Sequence, residues 1–71
     1  MFYLIAIIAL RRTGEELIFM RHTHYWTRFA DDARLFDLET AQYEVKQLRK
    51  RSNLRYTIVP AADHVSQPPL L

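Results

Sequence analysis

Residues 3–21 read YLIAIIALRRTGEELIFMR, and this stretch decides the fold. Two apolar runs, residues 3–10 and residues 17–21, flank a short turn that holds Gly14, the only glycine of the chain. A short glycine-containing turn between two such runs indicates a β-hairpin, because glycine takes the positive φ that tight turns need. The isoleucine-rich first run favours a strand over a helix. We therefore expect two antiparallel strands joined at Gly14.

The first strand is apolar on both faces, so it should lie in the centre of a sheet. Residues 54–59 alternate and are rich in aromatic and β-branched side chains, which predicts a third strand that stops at Pro60. The second and third strands should then flank the first. One face of this sheet has no obvious cover in the sequence. Either the loop at residues 22–32, which holds Tyr25, Trp26 and Phe29, or a binding partner should cover it.

A single helix is expected between these strands. Asp37 is a suitable N-cap, and Asn53 is the residue expected to take left-handed backbone geometry after the helix end. The apolar residues between them recur at spacings of three and four and should face the sheet: Leu38, Ala41, Val45 and Leu48.

The fold class predicted is α+β, with a β-hairpin, a long loop, one helix and a final strand, giving a three-stranded sheet with one helix packed on one face. The loop, residues 22–32, has room for a short strand near residues 25–29 and a helical turn from Asp31. Residues 1–60 should form a single domain. Residues 61–71, with Pro68 and Pro69 and little periodic apolar signal, are expected to form a disordered tail.

Composition narrows the cellular context. The 71 residues contain no cysteine, which agrees with a reducing compartment and hence a cytoplasmic location. The apolar N-terminal run ends at Arg11, far short of the roughly 20 residues that span a bilayer. Its charge follows the apolar residues, whereas a secretory signal has charge before them. We expect no membrane partner.

No constellation of catalytic residues or metal ligands stands out. His22 and His24 could share a metal, but the next histidine, His64, lies in the expected tail, and zinc needs three or four protein ligands. Adjacent Asp31 and Asp32 do not resemble a tuned acid and base pair. A single glycine excludes a glycine-rich phosphate loop. The expectation is no enzyme, no cofactor, no metal site and no small-molecule substrate.

Two clusters could bind a macromolecule. The first, a possible basic binding face, combines an aromatic residue with cations near the helix end: Tyr43, Lys46, Arg49, Lys50, Arg51 and Arg55. The second, a candidate protein-binding set, mixes arginine with loop aromatics: Arg11, Arg12, Arg21, Tyr25, Trp26 and Arg28. An ordinary solvated helix end explains the first equally well. Trp26 could instead be the lid over the open sheet face.

Eight of the ten basic residues are arginine, whose planar fork suits pairing with carboxylates and phosphates. This bias favours an interface, although drift in a GC-rich genome would produce it equally well. The formal net charge is +2, so the chain is mildly basic.

Residues 30–59, ADDARLFDLETAQYEVKQLRKRSNLRYTIV, resemble a pattern found in many small proteins of bacteriophages and prophages. The positions that carry the pattern are mostly core and cap residues: Phe36, Leu38, Glu39, Ala41, Leu48, Tyr56 and Ile58. Size, arginine content and element order are similar to the family of small phage regulators of host RNA polymerase found in a lytic Xanthomonas phage. This resemblance implies a protein that binds the polymerase, hinders initiation and promotes antitermination. It carries over no contact residues. The alternative is a small nucleic-acid-binding module that uses the basic helix end.

Overall fold

The computed structural model describes residues 1–22 and 25–65. Its elements are four strands, one α-helix and two short 3-10 helices: β1 Tyr3–Arg11, β2 Gly14–His22, β3 Tyr25–Thr27, the first 3-10 helix Ala30–Asp32, α1 Leu38–Arg51, β4 Tyr56–Pro60 and the second 3-10 helix Ala61–Asp63. The strands form one antiparallel sheet in the order β3-β2-β1-β4. The α+β class is confirmed, and β1 is central with β2 and β4 on its two sides. The sheet has four strands rather than the three expected.

The hairpin forms at Gly14, as predicted. Gly14 lies opposite Arg11 at the end of the β1–β2 ladder and has a φ of 125°. A side chain at this φ would be strained, which explains why glycine occupies the position. The extra strand, β3, continues the hairpin on its outer side, with Trp26 opposite Met20. It lies within residues 25–29, where the sequence left room for a short strand, but three residues carry too little alternation to be separated from a loop by pattern alone.

Helix α1 packs on one face of the sheet. The buried side chains of this helix-side core are Ile5, Met20, Phe36, Ala41, Val45, Leu48 and Tyr56. Asp37 is the N-cap, as predicted, and its Oδ1 accepts a 2.7 Å hydrogen bond from the Thr40 backbone N–H. Hydrogen bonds from the Thr40 hydroxyl and backbone N–H hold the pKa of the Asp37 carboxyl below its ordinary value.

The helix does not end as predicted. No residue other than glycine has a positive φ in the described part of the chain, so Asn53 is not left-handed. Ser52 is the C-cap instead, with an extended φ of −153° and a backbone N–H that donates to the Leu48 carbonyl. Its Oγ accepts a 3.3 Å hydrogen bond from the Leu54 backbone N–H. The serine side chain and the extended backbone together turn the chain, so a left-handed residue is not needed.

The second sheet face is covered by the two 3-10 helices. Leu4, Ala6, Phe19 and Ala61 form a second buried core, against which Ala30, Ala33, Val65 and neighbouring apolar residues pack. The loop therefore supplies part of the cover, through its alanines rather than its aromatic residues. The rest comes from residues after Pro60.

The chain stays folded beyond the expected domain boundary at residue 60. The Ala61 backbone N–H donates to the Phe2 carbonyl at 2.9 Å, and the Val65 N–H donates to the Ala61 carbonyl at 2.8 Å. Ala61 is 7% exposed. Order thus extends through residue 65, where the sequence predicted disorder, because two small alanines pack closely without any periodic apolar signal. Residues 66–71, including Pro68 and Pro69, lie outside the described residues.

Candidate protein interface

A groove of about 410 Å³ runs between α1 and the outer edge of β4. The side of the groove formed by α1 consists of Gln42, Val45, Lys46 and Arg49, and the side formed by β4 consists of Tyr56, Thr57 and Ile58. Val45 and Tyr56 are buried at 3% and 8% exposure, so the floor is apolar and belongs to the helix-side core. Lys46 and Arg49 are exposed and form the rim.

The positions of Lys46 and Arg49 at the rim follow from the helical repeat of α1. Val45 belongs to the apolar stripe of α1, and Arg49 lies four residues later on nearly the same face of the helix. Lys46 follows Val45 directly, so it emerges at the border of the stripe. The sequence thereby sets two cations along the line where the buried face of the helix meets solvent, directly above β4.

The β4 edge has backbone groups that point away from the sheet. The Ile8 backbone N–H donates to the Arg55 carbonyl at 2.9 Å, and the Ala61 N–H donates to the Phe2 carbonyl. Because opposed residues in an antiparallel ladder alternate between bonded and non-bonded pairs, Thr57 and Val59 bond to β1, whereas Tyr56 and Ile58 direct their backbone groups outward. No strand pairs with this edge in the described part of the chain.

The rim cations form no salt bridge within the described part of the chain. Among residues 1–22 and 25–65, the salt bridges are Arg11–Glu16, Arg28–Glu16 and Arg55–Glu15, and none involves α1. Residues 45–62 contain no aspartate or glutamate. Lys46, Arg49, Lys50 and Arg51 therefore present their charges to solvent.

The predicted basic face is only partly brought together. Tyr43, which is 61% exposed, and four cations lie on the exposed surface of α1. Of these five residues, only Lys46 and Arg49 line the groove. Arg55 lies apart from them, because it is opposite Ile8 and so projects from the face of the sheet away from α1. Its Nη1 lies 3.5 Å from Oε1 of Glu15.

The second predicted set is dispersed over the hairpin and β3. The Nε atoms of Arg11 and Arg28 lie 2.9 Å and 3.5 Å from the two carboxylate oxygens of Glu16. Arg12 lies in the hairpin turn, and Arg21 is an exposed residue near the end of β2. Glu16 thus offsets part of the charge expected at this surface.

The two aromatic residues of the second set behave differently. Tyr25 is 61% exposed and its ring meets the His22 ring at a centroid distance of 4.2 Å. Trp26 is partly buried and packs against the helix-side core, with its ring centroid 6.2 Å from that of Tyr56. Trp26 therefore lies on the face of the sheet that α1 covers. The alternative role considered for it, a lid over the other face, is wrong.

Sequence reasoning missed the residues that form the walls of the groove, chiefly Gln42, Thr57 and Ile58. The alternation of residues 54–59 predicted the strand, but its position at the sheet edge follows from strand order. Pro60 was the one available signal, because proline within sheets is largely confined to edges and strand ends.

The described residues contain no group of three or more histidine, cysteine, aspartate or glutamate side chains that could hold a metal ion. His22 is described, whereas His24 lies outside the described residues. His64 packs on Phe19, with ring centroids 5.6 Å apart. None of the described helices has the length and apolar composition needed to cross a membrane.

The chain matches no protein-family model, no curated protein and no solved structure.

Proposed function

We propose that the protein is a non-enzymatic, phage-encoded regulator that binds a host protein through the groove between α1 and β4. The observation that carries the proposal is the pair of cations Lys46 and Arg49 beside an apolar floor, which form no salt bridge in the described part of the chain. Apolar surface supplies binding free energy, and fixed charges at its border select the partner. An open groove between a helix and a strand edge suits a protein segment.

The candidate partner is the bacterial RNA polymerase, and the expected effects are inhibited initiation and antitermination. The resemblance of residues 30–59 to small phage proteins supports this choice. The polymerase works in the cytoplasm, so the protein would act in the cytoplasm of the host cell.

A binding assay with purified polymerase holoenzyme tests the proposal. We expect co-elution on size-exclusion chromatography at moderate salt, and loss of the complex on Lys46→Glu or Arg49→Glu. Arg12→Glu, an equal charge change in the hairpin turn, is the control and should leave the complex intact. Absence of co-elution would contradict the polymerase assignment.

A pull-down from bacterial lysate, with nuclease-treated and untreated arms, then asks whether any protein binds. Retention of a defined protein after nuclease treatment, lost with the α1 variants, supports a different protein partner at the groove. If Arg12→Glu and Arg21→Glu abolish the complex while Lys46→Glu does not, the interface lies on the hairpin. That result would overturn the proposal that the groove is the interface.

The alternative is a nucleic-acid-binding module, favoured by the exposed cations that lie with Tyr43 on the surface of α1. Such binding releases counterions, so its affinity should fall steeply with salt. Lys50→Ala should reduce the slope of log affinity against log salt by about one, because one phosphate contact is lost. Fluorescence anisotropy with a labelled oligonucleotide measures this slope, and binding that is insensitive to salt would exclude the alternative.

A further inference from the structure

β4 offers a defined set of backbone groups beside the groove. The Ile58 N–H and C=O both point away from β1, as does the Tyr56 C=O. The Tyr56 N–H already donates to the Leu54 carbonyl at 3.1 Å, and Pro60 has no N–H. Ile58 is therefore the position where an incoming antiparallel residue can exchange both hydrogen bonds.

The register of such a strand determines which of its side chains enter the groove. Directly opposed residues of an antiparallel pair point to the same face. Ile58 packs on the helix-side core, so the residue opposite it would point toward α1, between the apolar floor and the rim formed by Lys46 and Arg49. Residues two positions away would point the same way.

Charge decides the chemistry of the occupant. Among the described residues, two cations and no carboxylate line the groove. A carboxylate on the incoming strand would pair with Lys46 or Arg49, and its own backbone would satisfy the free groups of Ile58.

Other occupants fit less well. A second copy of the chain that paired through β4 would bring the Lys46 and Arg49 side chains of both copies to one interface, where like charges repel. A nucleic acid has no peptide N–H and C=O groups with which to extend the sheet.

We propose that the groove binds an extended acidic segment of a partner protein, which adds to the free edge of β4 as a fifth strand. The proposal rests on the function proposed above, in which this groove is the protein interface. Backbone hydrogen bonds to Ile58 fix the register, and alternate acidic side chains pair with Lys46 and Arg49.

The probe is a blocked eight-residue peptide in which glutamate alternates with valine. Titrated into the ¹⁵N-labelled full chain, it should slow hydrogen exchange of the Ile58 amide by at least about tenfold, since that amide gains a partner. A peptide with lysine in place of glutamate should not bind, because its charges match those of the rim. A glutamate peptide N-methylated at alternate residues on the hydrogen-bonding edge should also fail, because it lacks the backbone donors.

Matched variants distinguish binding in the groove from a general attraction between the acidic peptide and the basic helix. Lys46→Glu or Arg49→Glu should weaken peptide binding by at least about tenfold. Arg51→Glu, the same charge change on the same helix but outside the groove, should weaken it by only about twofold. The amide spectrum of each variant shows whether it is folded.

The outcomes distinguish the two proposals. If a protein complex forms but the peptide leaves the Ile58 amide unprotected, strand addition is overturned and the proposed function stands. If the peptide protects Ile58 while no protein is retained from lysate, the groove inference stands and the proposed function fails. Equal binding by the N-methylated peptide, equal weakening by Arg51→Glu, or concentration-dependent dimerisation through β4 would each overturn the inference.

Discussion

Replacing Trp26 with alanine should lower the free energy of unfolding by about 2–3 kcal/mol. Trp26 lies opposite Met20 in the β2–β3 ladder and packs on the helix-side core near Tyr56. Truncating a fully buried aromatic residue costs about 3–5 kcal/mol, and Trp26 is partly exposed on an edge strand, so the expected cost is reduced to about 2–3 kcal/mol. A domain of this length has a total stability of only about 4–10 kcal/mol. The substitution should thus remove a large part of it.

Urea unfolding followed by far-ultraviolet circular dichroism measures the effect, because tryptophan fluorescence disappears with the only tryptophan. With a slope of about 1 kcal/mol per molar urea, the midpoint should fall by about 2–3 M. Tyr25→Ala is the matched control on the same strand. Tyr25 is 61% exposed, so its replacement should change stability by no more than about 0.5 kcal/mol.

An unchanged midpoint for Trp26→Ala would refute the reasoning, because a residue that supports the core cannot be removed without cost. It would make Trp26 a surface residue and restore its role as a candidate contact for a partner. Trp26→Phe keeps much of the apolar area and should have intermediate stability. If Trp26→Phe is fully stable yet abolishes partner binding, Trp26 contacts the partner as well as the core.

Three other changes test separate features of the fold. Gly14→Ala should lower stability by about 1 kcal/mol or more, seen as a lower Tm, because its φ of 125° strains any side chain while the space around it is open. The lowered pKa of Asp37 means that its helix-capping contribution is complete above its ordinary pKa and is lost as pH falls through the lowered value. Asp37→Asn should therefore lose less stability than the native chain as pH falls below the ordinary pKa of aspartate, measured by thermal unfolding, and identical profiles would contradict this assignment. A chain ending after Pro60 should be less stable by at least about 1 kcal/mol than a chain ending after Val65, and it should bind a hydrophobic dye. Equal stability of the two truncations would show that the second 3-10 helix contributes nothing.

Local sequence signals were sufficient to predict an element where one residue type suits a particular backbone position much better than the others do. Gly14 between two apolar runs gave the hairpin, and Asp37 before an apolar stripe gave the start of α1. Both features depend on neighbouring residues only. The end of the helix depends on which of two alternatives turns the chain, a serine side chain or a left-handed residue. The Ser52 side chain accepts a hydrogen bond there, so a left-handed Asn53 is unnecessary.

Features that depend on contacts between residues far apart in the sequence could not be derived from local periodicity. β3 exists because Trp26 pairs with Met20 across an irregular register between Met20 and His22, which no local period reveals. The cover of the second face needs Ala61 to meet Leu4 across the sheet, and alanine gives a weak apolar signal in any window. The basic helix end was visible, but the groove beside it required the strand order.

The edge of β4 connects the stability of this fold with its proposed binding. A free strand edge is a hazard, because it can pair with another copy and aggregate. Here the strand is five residues long, ends at Pro60 and lies under two cations, all of which oppose pairing with an identical edge. The same two cations would attract a strand that carries carboxylates, because the charges are then opposite. Features that oppose pairing between two copies would therefore also select the acidic segment proposed to bind here. Neutralising Lys46 and Arg49 should weaken both the selection of an acidic segment and the barrier to pairing between copies.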